Sequence, residues 1–67
     1  MAYVASINYV LGYCTVTNGS QLKAHGTADS ETEADQWLTE HGYRRVGQWE
    51  SGIELPPTSA NADVMPT

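Results

Sequence analysis

Cys14, His25 and His41 are the thiol and the two imidazoles of a 67-residue chain, and the first places to look for chemistry. Their spacing matches no recognised zinc pattern. A lone cysteine cannot form an intrachain disulfide, and Cys14 reads as a small buried hydrophobe ahead of a reactive thiol. His25 is expected at a strand end on a polar face. His41 is expected in the last turn of a helix, where a histidine compensates the helix dipole or is half-buried. No Asp, Ser or Cys stands in a nucleophile–base arrangement with either. The six glycines are dispersed over turn and strand positions and form no phosphate loop. Glu31, Glu33 and Asp35 sit on a solvated helix and lack the calcium-loop pattern. A chain this short also has little room for an enclosed pocket of about 300 Å³ beside a core. No catalytic residue, metal or cofactor is assigned, and the expected protein is not an enzyme.

The richest binding chemistry lies in "YRRVGQWE", residues 43–50. Tyr43, Arg44, Arg45, Gln48 and Trp49 combine the side chains that dominate protein-binding hot spots, and they are the expected partner-binding residues. Two partner classes suit them. A protein, including a second copy paired along a strand edge, needs an open edge and an aromatic anchor. Single-stranded nucleic acid would stack its bases on Tyr43 or Trp49 beside Arg44 and Arg45. The net charge of −5 disfavours the second class, because phosphate contacts need several cations. A bland alternative places Trp49 or Tyr43 in the core and pairs the arginines with Glu40 or Glu50.

The charge is local. Five of the eight acids fall between Asp29 and Glu40, against Lys23, Arg44 and Arg45 as the cations. A helix with an acidic outer face accounts for this. Sixty-seven residues make one domain. Such chains seldom draw more than about 3–5 kcal/mol from a single core without a staple. With no disulfide and no metal, homodimerisation is expected by elimination. No stretch approaches the roughly 20 apolar residues that span a membrane. The start, "MAYVASINYVLGY", lacks the basic region of a signal peptide, so the expected location is the cytoplasm. Asn18-Gly19-Ser20 then reads as a turn and not as a glycan site. Size and acidity suit a phage or mobile-element origin.

The elements that position these residues follow from apolar parity. Before Gly12 the apolar set is odd-numbered (Tyr3, Ala5, Ile7, Tyr9); after it the set is even-numbered (Cys14, Val16). Strand parity cannot switch without a turn or a bulge. A tight turn at Leu11-Gly12 is therefore expected, pairing Tyr9 with Cys14 and Ile7 with Val16, although Leu11 is a poor turn residue. A second turn at Thr17-Asn18-Gly19 would align Cys14 with Leu22. The apolar face is then Tyr3, Ala5, Ile7, Tyr9, Cys14, Val16, Ser20, Leu22 and Ala24. Ser6, Asn8, Thr15, Thr17, Gln21, Lys23 and His25 line the wet face, with Val4, Val10 and Tyr13 as apolar exceptions.

"DSETEADQWLTEHG", residues 29–42, carries a capping box in Ser30 and Glu33, acids in its first turn, and Gly42 at its end. Ala34, Trp37, Leu38 and His41 form the apolar stripe that should cover the sheet, which makes Trp37 a core residue. Residues 43–50 read as a fourth strand. It should run parallel to the first and lie beside it, in the order 3-2-1-4. The expected fold is thus α+β: a small antiparallel β-meander, one helix packed on one face, and a final strand (βββαβ, with ββαβ as the fallback). Residues 1–55 form the domain. Residues 56–67, "PPTSANADVMPT", are expected as a flexible tail. The expected role is that of a small protein-binding accessory or regulatory protein.

Overall fold

The structure is a computed structural model and describes residues 2–52 and 57–67. The first three strands are β1 (Tyr3–Asn8), β2 (Tyr13–Asn18) and β3 (Gln21–Thr27), followed by the helix α1 (Glu31–Glu40). Three more strands follow among the described residues: β4 (Tyr43–Arg45), β5 (Glu50–Ser51) and β6 (Ser59–Pro66). The sheet order is β3-β2-β1-β6-β4, with β5 also paired to β6. Every pairing among the described residues is antiparallel.

The meander forms as parity requires, but its first register differs from the expected one. Ile7 faces Cys14 and Asn8 faces Tyr13, so the connection is four residues long and the pairing is displaced by two positions. A two-residue slip keeps every side chain on its face. Ala5, Ile7, Cys14 and Val16 are accordingly buried, with Tyr3, Tyr9 and Ala24 packed at their margin. At the second turn Asn18 pairs with Gln21, and the register shifts between Thr17↔Leu22 and Val16↔Ala24. The extra residue on β3 is a bulge around Lys23. It reverses parity, so Leu22 leaves the expected apolar face and is 57% exposed.

The helix starts and stops where its sequence signals lie. Ser30 Oγ accepts a hydrogen bond from the Glu33 amide at 3.2 Å. The Glu33 carboxylate reaches one residue further back than a standard capping box, accepting from the Asp29 amide at 2.8 Å. Ala34, Trp37 and Leu38 are buried. The Trp37 indole packs against Gly26, where an added Cβ would come within 2.1 Å of Nε1. His41 is exposed rather than part of the apolar stripe: its ring stacks on Trp37, and Nδ1 lies 2.9 Å from the Trp37 carbonyl oxygen.

The largest corrections concern the end of the chain. Residues 59–66, within the stretch expected as a flexible tail, form the longest strand and sit inside the sheet between β1 and β4. Ala60, Ala62 and Val64 alternate inward, and all three are buried. Residues 53–56, at the expected domain boundary, lie outside the described residues. The expected fourth strand over 43–50 is broken into β4 and β5. Both pair with β6, and the Asp63 carbonyl accepts from Val46 N and Gly47 N across the break. β4 does run in the same sense as β1, as the returning helix requires. It does not lie beside β1, because β6 takes that place. The order 3-2-1-4 is thus replaced, and the α+β class holds with one helix over a six-stranded sheet.

Candidate functional site

The five residues expected to bind a partner divide between the two faces of β4 and the turn after it. Tyr43 and Arg45 share the helix side with Val64, and Tyr43 packs on Tyr3 with ring centroids 6.0 Å apart. Arg45 is held by Asp35 of α1 through Nε to Oδ1 (2.7 Å) and Nη2 to Oδ2 (3.1 Å). Trp49 donates its indole N–H to the same Asp35 Oδ1 at 3.0 Å, and the Arg45 guanidinium lies 5.8 Å from the Trp49 ring centroid. Hydrogen bonding to Asp35 keeps the Arg45 guanidinium protonated even more firmly than usual. The bland alternative therefore describes Tyr43, Arg45 and Trp49 well, with Asp35 in place of Glu40 or Glu50 as the arginine's partner.

Arg44 and Gln48 are exposed. Gln48 lines a groove of about 480 Å³ with Val4, Glu50, Asn61 and Asp63 on the face of the sheet that the helix leaves uncovered. The groove lies outside the core, which is how so short a chain accommodates it. The five residues do not make one continuous patch.

Neither histidine meets the thiol. Cys14 is buried in the core, and burial pushes its pKa up, which holds it as a protonated thiol. His25 is exposed opposite Thr15 on the outer face. Among the described residues no three His, Cys, Asp or Glu side chains converge as metal ligands.

A different feature stands out at the β1–β2 connection, the tip of the first hairpin. Val10 is 71% exposed and Leu11 69%, with Tyr13 half-exposed beside them. The backbone that carries them is fixed. Asn8 Oδ1 accepts from Val10 N (3.0 Å) and Leu11 N (2.9 Å), while the Asn8 carbonyl accepts from Gly12 N (2.8 Å). Both flanks are tied to the rest of the chain, Tyr9 N to the Thr58 carbonyl (2.9 Å) and Ala28 N to the Gly12 carbonyl (3.1 Å). Gly12 adopts φ +72°, a left-handed conformation that costs glycine little. The Tyr9 hydroxyl donates to Glu31 Oε2 at 3.1 Å, and burial, with help from that carboxylate, raises its pKa.

The sequence marks Val10 and Tyr13 as apolar exceptions on the wet face and Leu11 as a poor turn residue, but does not join the three into one surface. The same mismatch was the available signal: turn chemistry asks for Asn, Asp, Gly or Ser here, and apolar residues stand in their place. No family model, curated protein or solved structure matches the chain.

Proposed function

We propose that this chain is a small, non-enzymatic protein-binding accessory or regulatory protein, and that the β1–β2 tip is its contact surface. The observation that carries this reading is the pair Val10 and Leu11, held out in solvent on a backbone pinned at Asn8, Gly12 and Tyr9. Folding gains nothing from two apolar side chains at this exposure, whereas a partner that covered them would gain about 1.5–3 kcal/mol from each. The fixed backbone lowers the ordering cost of binding. A total of about 3–6 kcal/mol from the pair corresponds to weak, reversible association, which suits an accessory contact more than a permanent complex.

The reading as a single-stranded nucleic-acid binder has less support. Arg45 and the Trp49 N–H are engaged by Asp35, so the strand offers Arg44 and little else for phosphate or base.

Affinity capture from the source cell, using the wild type and the Val10→Ser/Leu11→Ser variant in parallel, tests the proposal. The expected result is a protein enriched by the wild type and lost from the variant. A partner retained by that variant but lost from Arg44→Ala/Gln48→Ala would move the contact to the β4 side and overturn it.

A further inference from the structure

The tip has a charged collar of one sign. Tyr9 is bonded to Glu31, and the Asp29 carboxylate rests against Gly12, so closely that a Cβ there would lie 2.6 Å from Oδ1. Glu33 is drawn to the same corner by its bond to the Asp29 amide. Asp29, Glu31 and Glu33 are all exposed. The cations of the chain lie elsewhere. Arg45 is paired with Asp35, Arg44 pairs with Met65 at the opposite end of the sheet, and Lys23 sits in the β3 bulge toward that same end. Two exposed apolar side chains are thus set beside three carboxylates, and among the described residues no lysine or arginine stands with them.

We infer that the tip takes a polypeptide segment of basic–apolar chemistry, one or two aliphatic side chains flanked by Lys or Arg. The aliphatic groups cover Val10 and Leu11, and the cations reach Asp29 and Glu31. Complementary charge chooses the partner and speeds its encounter, while apolar burial holds it. An anionic membrane or a nucleic acid would be repelled by the same collar. The inference rests on the tip being the contact surface, and adds the chemistry of what it contacts.

The test uses two synthetic peptides, Lys-Lys-Leu-Val-Leu-Lys-Lys and Glu-Glu-Leu-Val-Leu-Glu-Glu, each titrated into the ¹⁵N-labelled full chain. Binding is followed by amide shifts at low and high ionic strength. The basic peptide is expected to move Val10, Leu11, Gly12, Asp29 and Glu31, and to bind more weakly as salt rises. Asp29→Asn/Glu31→Gln should weaken it about three- to tenfold, the effect of two exposed ion pairs. Val10→Ser/Leu11→Ser should abolish the tip shifts. Equal binding of the acidic peptide at the tip would overturn the charge inference and leave the tip as a contact surface. Binding of the basic peptide that ignores Val10→Ser/Leu11→Ser would mark unspecific charge attraction and overturn it too. So would the absence of tip shifts with either peptide. The cell-capture comparison separately decides whether the tip is the contact surface at all.

Discussion

Gly26 shows how a single absent side chain sets the packing of this molecule. It faces the helix from the edge strand β3, opposite Cys14, and the Trp37 indole occupies the space where a Cβ would be. Gly26→Ala is expected to force Trp37 off the strand and to cost about 1–3 kcal/mol, measured by urea denaturation. Burial at Cys14 and Tyr9 has a consequence in pH. Both groups are held neutral in the folded chain above their ordinary pKa values. The unfolded chain ionises its thiol from about pH 8.5 and its phenols from about pH 10. The stabilisation from both groups is therefore complete at neutral pH and is lost as pH rises through their raised folded values. Melts across the alkaline range are expected to show this decline, with Tyr9→Phe removing its upper part. An unchanged alkaline profile in Tyr9→Phe would contradict the assignment. The Asp35 clamp is a further residue-scale lesson. The aromatic–arginine chemistry of residues 43–49 was legible, but the acid that gathers it was not. Asp35 lies on the helix, ten residues before Arg45, and only the docking of α1 beside β4 brings them together.

At the scale of elements, the helix was the most legible part, because Ser30, Glu33 and Gly42 are local signals that tertiary contacts reinforced. The hairpins were legible in parity and not in register. A two-residue slip at the first turn leaves the apolar pattern unchanged, so the pattern could not choose between the two pairings. The bulge at Lys23 adds a residue with no sequence mark of its own, and it carried Leu22 from the expected core to solvent. On an edge strand, a bulge and a lysine also discourage pairing with another chain. β6 was missed for a different reason. Ser59, Asn61, Asp63 and Met65 alternate with Ala60, Ala62 and Val64, which is the period of a strand. Alanine, asparagine and aspartate are weak strand formers, and Pro56, Pro57 and Pro66 argued for a tail. The deciding factor was nonlocal: the open edge of β1 supplied backbone partners along the whole segment.

For the whole molecule, the position of β6 matters most. A strand between β1 and β4 puts Ala60, Ala62 and Val64 into the buried side of the sheet, so β6 belongs to the same sheet as the meander. Deleting residues 58–67 is expected to abolish cooperative unfolding; a truncated chain that melts like the parent would contradict the topology. Ala60, Ala62 and Val64 extend the core beyond the expected domain of residues 1–55. Val10 and Leu11 at the tip are the most exposed of the large apolar side chains among the described residues, ahead of Val46 and Leu22. The proposed role of the tip as a contact surface is tested most directly by placing a photo-crosslinking amino acid at position 11, and in a matched chain at the exposed helix position 36, in the source cell. A discrete protein adduct is expected from position 11 and none from position 36. Equal crosslinking from both positions, or none from position 11 alone, would contradict it.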